Sequence, residues 1–165
     1  MWGTVGVLVV ALLVLAGCDD GSDGTSSTDR VAGVYLAALR WAVDTDEVAP
    51  PSTGDPRNDD LPVVYALNLD GSAVPAAVQV VVVKELRDDL TLRFADARKE
   101  AVDDKHEGDP VHDHGMLVQL GSVPEEGQEV TVEADVYRSA DDQQTYQLKV
   151  RFTGEDWEVV EATPR

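Results

Sequence analysis

Apolar residues between Asp29 and Asp44 fall at Val31, Val34, Tyr35, Ala38, Leu39 and Ala42, the i, i+3, i+4, i+7 spacing of one helix face. The spacing predicts an amphipathic helix, with Thr28 or Asp29 available as N-cap. Leu61 to Leu69, closed by Asp70-Gly71, is apolar on both faces and therefore reads as a strand that is central or covered on both sides. Ala73 to Asp89 admits two readings. Pro75 suits a first helical turn and Val78, Val82 and Leu86 share a helical face, whereas the β-branched run Val80 to Val83 suits a strand. Length favours the helix.

Leu90, Leu92 and Phe94 then alternate with Thr91, Arg93 and Ala95, the pattern of a half-buried strand. Asp96 to Gly115 is polar and reads as a loop with one helical turn over Ala97 to Val102, after which Met116 to Leu120 resumes a strand. In the last third, Val130, Val132, Ala134 and Val136 alternate with Thr131, Glu133, Asp135 and Tyr137. Tyr146, Leu148, Val150 and Phe152 alternate likewise with Gln147, Lys149 and Arg151. Turn signals at Ala140-Asp141-Asp142 and Gly154-Glu155-Asp156 lead to a closing strand at Trp157 to Ala162, so these segments predict an antiparallel meander. The expected class is α+β, an antiparallel meander sheet packed on one or two helices. That order of elements resembles the cone-shaped nuclear-transport-factor-like and cystatin-like folds, in which a curved sheet wraps a helix.

The N-terminal region follows different rules. Val5 to Ala16 is an unbroken run of apolar and small residues, the length of a signal-peptide core and too short for a spanning helix of about 20 residues. It ends in Leu15-Ala16-Gly17-Cys18, which resembles the bacterial lipobox, where small residues fit the signal peptidase and the cysteine thiol accepts lipid. Cys18 is the one cysteine of the chain, so no intramolecular disulfide can form. Met1-Trp2-Gly3-Thr4 carries no Lys or Arg, where an export signal ordinarily has positive charge. Asp19 to Thr28 contains only Asp, Gly, Ser and Thr and has no apolar area to bury. The expected organisation is a lipoprotein signal peptide over 1–17, a lipidated flexible tether over 18–28 and a single α+β domain over 29–165. The chain is then expected in the cell envelope, anchored to the membrane through lipid on Cys18 and facing outward.

Composition narrows the partners. The formal net charge is -19, with 32 acidic against 13 basic residues, which disfavours nucleic acid as a partner. The chain has no isoleucine and prefers Asp to Glu and Arg to Lys, a bias that high genomic GC content would produce.

Candidate chemistry is sparse. All three histidines lie in His106-Glu107-Gly108-Asp109-Pro110-Val111-His112-Asp113-His114, and imidazole with carboxylate is a transition-metal ligand set. On an extended segment His112 and His114 would point to one face, so His106, Asp109, His112 and His114 are the candidate metal ligands. Their spacing matches no established metal motif.

Asp55, Asn58, Asp59 and Asp60 lack EF-hand spacing. No serine occupies a Gly-x-Ser-x-Gly elbow, and Ser72, Ser122 and Ser139 fall at expected turns, so no catalytic residue is assigned. No phosphate-binding glycine loop is present, and no cofactor is called for. Tyr35, Trp41, Tyr137, Tyr146 and Trp157 read either as core or as walls of a small apolar pocket between helix and sheet.

Val34-Tyr35-Leu36-Ala37-Ala38-Leu39-Arg40, Pro62-Val63-Val64-Tyr65, Gly115 to Gly121 and Thr145-Tyr146 through Trp157 resemble segments of an uncharacterised family of actinobacterial lipoproteins. The resemblance spans most of residues 30–163 and implies a source, with no activity or catalytic residue. The expected function is a lipid-anchored, extracytoplasmic, non-catalytic module that binds a protein or small ligand of the envelope. An envelope metal-binding protein or enzyme using the His106–His114 loop is one alternative, and a protein with a pocket for a small apolar ligand is another.

One prediction follows from charge alone. Like charges on a compact surface repel more than in the expanded chain, and the screening length falls from about 30 Å at 0.01 M salt to about 3 Å at 1 M. The thermal midpoint is expected to rise with sodium chloride across that range, measured by circular dichroism. A flat or falling midpoint would mean that surface ion pairs outweigh the repulsion.

Overall fold

The computed structural model describes residues 26–45 and 61–165. The leader, Cys18, the tether as far as Thr25, the stretch 46–60 and with it Asp55, Asn58, Asp59 and Asp60 lie outside the described residues. The first helix, α1 (Ser27–Thr45), is started by Ser26 rather than by Thr28 or Asp29. The Asp29 amide donates to Ser26 Oγ at 3.1 Å, and that hydroxyl donates back to Asp29 Oδ2 at 2.7 Å. The reciprocal pair satisfies one of the orphan donors of the first turn and places a carboxylate beside the positive helix end.

Six strands follow: β1 (Val63–Asn68), β2 (Thr91–Phe94), β3 (Met116–Leu120), β4 (Glu129–Ser139), β5 (Asp142–Phe152) and β6 (Trp157–Pro164), with α2 (Ala76–Leu86) between the first two. The ambiguous stretch after Ala73 is thus helical. Val78, Val82 and Leu86 bury one face of α2, while Val80 and Val83 look outward.

The strands form one sheet in the order β2-β1-β3-β4-β5-β6. The antiparallel meander holds for β3 to β6, but β1 pairs in parallel with both β2 and β3. Parallel neighbours require crossovers. The β1–α2–β2 connection passes over one face of the sheet, and the return to β3 passes over the other. A crossover reversed in both direction and face keeps the same hand, as connections of this type do.

Both helices pack on one face, where Val34, Tyr35 and Leu39 of α1 and Val78, Val82 and Leu86 of α2 meet Val64, Val118, Ala134 and Leu148 of the sheet. The opposite face carries a second, smaller core. There Ala95, Ala101, Val102 and Val111 cover Val63, Tyr65, Leu67, Leu117 and Tyr137. The stretch expected to be a polar loop with one helical turn therefore has a buried underside and shields Tyr137 from the solvent that its alternation predicted. Asp135 is buried as well and accepts from Gln143 Nε2 at 2.8 Å and Thr145 Oγ1 at 3.1 Å. The polar backbone of the covering stretch is also paired. Val111 donates to Arg138 O and His112 to Ala101 O, both at 2.8 Å, and Ala140 donates to Gly108 O at 2.7 Å.

At the other end of the sheet, β5 and β6 slip register between Lys149 and Val150. Trp157 opens β6 and meets α1 at Gly33 through the Cδ1 edge of its indole, which a Cβ there would overlap. Phe152 tilts against the same indole with ring centroids 5.5 Å apart. The Arg30 guanidinium carbon lies 5.2 Å from its centroid and its Nη1 donates to Gly127 O. Trp41 sits at the helix rim and meets Tyr146 edge-on at 4.9 Å.

Gly33→Ala should therefore lower unfolding free energy by about 1–3 kcal/mol, the usual cost of forcing extra volume into a packed contact. Urea denaturation measures it. Gly71→Ala, where nothing lies within 4 Å of the added carbon, is the comparison and should cost less, through its positive φ alone.

Candidate functional site

The described residues contain several concave places, and two of these, with the histidine loop, make three candidates for a functional site. The first is the histidine loop, which the chain builds with unusual backbone. Asp109, Asp113 and His114 have φ values of 46°, 58° and 53°, in the left-handed region that Asp and His enter more readily than most residues. The segment His112–His114 is a short turn and not the extended stretch that would align His112 with His114.

Its polar groups bind protein partners. His106 Nδ1 lies 2.6 Å from Asp103 Oδ2, and the Asp103 carboxyl is held below its ordinary range by the Lys105 backbone amide first and by His106 as well. Asp109 accepts the Tyr137 hydroxyl through its carbonyl at 2.7 Å. Asp113 takes the Arg93 guanidinium, which also donates to the Tyr65 hydroxyl at 2.6 Å. His112 is half-buried and His114 is exposed. Among the described residues, no group of three or more His, Cys, Asp or Glu side chains converges on a point where a metal ion would sit.

The second place is the crevice at the carboxyl ends of β1 and β3, whose connections leave in opposite directions. Ligands of open α/β sheets bind at such a point. Tyr35, Asn68, Asp70, Ser72 and Ser122 line a cavity of about 150 Å³ there. Its hydrogen bonds run largely among themselves. The Tyr35 hydroxyl donates to Asn68 Oδ1, and Asn68 Nδ2 donates to the carbonyl and hydroxyl of Ser72 at 3.1 and 3.0 Å. Ser72 donates to Asp70 through its hydroxyl at 2.7 Å and its amide at 2.9 Å. Burial, with Asp70 adding to it, pushes the Tyr35 phenol well above its ordinary value, so the donor stays protonated. This network fastens α1 to the end of β1.

The third place is a groove of about 300 Å³ between α1, α2 and the turn joining β5 to β6. Ala32, Gly33, Leu36, Val81, Phe152 and Trp157 form its apolar floor, and Asp29, Arg40, Glu155 and Asp156 stand at its polar rim. The rim side chains are exposed to water, while Trp157 in the floor is only 8 % exposed. The tight turn Thr153–Asp156 brings Glu155 and Asp156 to the groove opposite Asp29 to Arg40 of α1. Thr153 and Asp156 close that turn with an amide-to-carbonyl bond of 2.8 Å.

Of the five aromatics singled out in the sequence, Trp157 lines the groove, Tyr35 lines the crevice, and Tyr137 lies under the Arg98 guanidinium at 3.7 Å on the far face. Periodicity did not mark Leu36, Val81, Phe152 or Glu155 as parts of one site, since they come from four separate elements. The available signal was local: two carboxylates immediately before a tryptophan at a strand start.

Comparison of the chain with known protein families, with curated proteins and with solved structures finds no match.

The geometry of the histidine loop leads to one expectation. Zinc titrated into the metal-free chain should bind more weakly than micromolar in calorimetry, since tight sites need three or four converging ligands. Tighter, stoichiometric binding that is abolished by His112→Ala with His114→Ala would reverse this.

Proposed function

We propose that the chain is a lipoprotein of the cell envelope, related to the actinobacterial family it resembles and held on the extracytoplasmic face of a membrane by lipid on Cys18. Its α+β domain is a non-catalytic binding module whose seat is the groove between α1 and the β5–β6 turn. The groove itself carries the binding reading. It combines an apolar floor with a few polar groups at the rim, the construction of small-ligand sites, and its volume is at the lower end of their range. The polar groups stand at the mouth, where they select and orient a ligand, rather than at the floor, where a reacting atom would have to meet them.

The anchor reading is supported by the order of segments. An apolar run ending in Leu15-Ala16-Gly17, the lone cysteine and a polar stretch lead into α1. Among the described residues no helix is long and apolar enough to cross a membrane. A diacylglycerol on Cys18 supplies two acyl chains, and two such signals suffice for stable attachment.

Metabolic labelling with a fatty acid tests the anchor. The wild-type chain should incorporate label and Cys18→Ala should incorporate none. Equal labelling of the two would remove the lipoprotein assignment.

A further inference from the structure

The groove has a charge as well as a shape. Its rim holds three carboxylates, Asp29, Glu155 and Asp156, and one guanidinium, Arg40. A second guanidinium, Arg30, lies beside the floor ring Trp157, so three negative groups face two positive ones and a ligand at the mouth meets a weakly negative local field. The field of the whole chain has the same sign, with a formal charge of -19, and fields of this kind concentrate cations and exclude anions. Two aromatic rings, Phe152 and Trp157, form part of the floor at 5.5 Å from each other. Aromatic faces attract cations through their quadrupole, most strongly for indole. The Trp157 ring is nearly buried and already has the Arg30 guanidinium over it at 5.2 Å, so the half-buried Phe152 is the ring open to a ligand cation.

From this combination we propose that the groove binds a small organic cation with an apolar body, an amine or quaternary ammonium carried on an alkyl or aryl group. The proposal rests on the binding reading above and adds the ligand class to it. The apolar part lies on Leu36 and Val81, and the charged head lies against Phe152, toward Asp29, Glu155 and Asp156. At roughly 30 Å³ per water-sized group, the cavity of about 300 Å³ takes a ligand of on the order of ten non-hydrogen atoms. Bare metal ions are a poorer fit, because no three carboxylates among the described residues converge. Anions are opposed by both the rim and the overall field. A neutral apolar molecule would gain the floor and forgo the rim.

Calorimetric titration of the full chain, held in zwitterionic nanodiscs, tests this with three probes of similar shape: benzyltrimethylammonium, benzyl alcohol and phenylacetate. Empty nanodiscs provide the baseline for partition into lipid. The cation should bind with one-to-one stoichiometry, and roughly tenfold more tightly than the neutral probe, a ratio within reach of one desolvated cation–aromatic contact plus rim charge. Phenylacetate should not bind. Glu155→Gln with Asp156→Asn, both on an exposed turn, should weaken the cation severalfold and leave benzyl alcohol unchanged. Leu36→Trp should fill the groove and abolish binding of all probes, with circular dichroism confirming that the variant is folded.

Equal affinity for the three probes, or a cation affinity unmoved by the double substitution, overturns the assignment of ligand class while the groove remains a binding site. Failure of every probe to bind overturns both. Fatty-acid labelling of Cys18 reads the anchor separately from either result.

Discussion

β1 has apolar side chains on both faces, Val63, Tyr65 and Leu67 on one and Val64 and Ala66 on the other, and a strand of that kind has to be covered twice. Two helices cannot do both, because α1 and α2 lie side by side on the same face. The second cover comes from the stretch between β2 and β3, whose few apolar residues are placed to reach the sheet. This one requirement accounts for several features at once. It explains why β2 is reached and left over opposite faces, and why β1 pairs in parallel on both sides. It also explains why a segment rich in Asp, His and Gly is pinned by backbone hydrogen bonds to β4. The left-handed residues at Asp109, Asp113 and His114 are the local cost, since the chain must fold back sharply to bring Val102 beside Val111 and then enter β3.

The other end of the sheet depends on a single close approach. Trp157 lies against the backbone of α1 because Gly33 presents no side chain there. With its indole N–H buried and without a hydrogen-bond partner, this contact carries a desolvation cost of about 1–3 kcal/mol. Packing with Phe152 and the Arg30 stack offsets it. The groove is the margin of this contact, so the ring that ties the helix to the sheet also forms part of the candidate binding floor.

Much of the fold was legible in the sequence. Period-two alternation located β4 and β5 because each has one face on the helices, the turn signal before Trp157 located β6, and the two-faced apolar run at Leu61 to Leu69 correctly implied cover on both sides. Parallel pairing was not legible, because the same residues would serve an antiparallel strand, and only the crossovers distinguish the two. The helical outcome of Ala73 to Asp89 followed from length rather than propensity. Four successive valines oppose it locally, and burial of Val78, Val82 and Leu86 overrides them. The N-cap was misplaced because Ser26, Ser27 and Thr28 are equally good candidates, and the structure selects the one three residues before Asp29. The groove was nearly invisible. Its floor is assembled from residues far apart in the chain, and each of them, taken alone, reads as core or turn.

The register slip between Lys149 and Val150 leaves Val160 unpaired on the outermost strand. An interrupted ladder, flanked by Glu158 and Glu161 and ended by Pro164, offers an incoming strand no continuous row of amides and carbonyls to match. The opposite edge is β2, only four residues long. The sheet is thus blunted against lateral growth on both sides. Between neighbouring copies of the chain, such edges favour separate domains over a fused sheet.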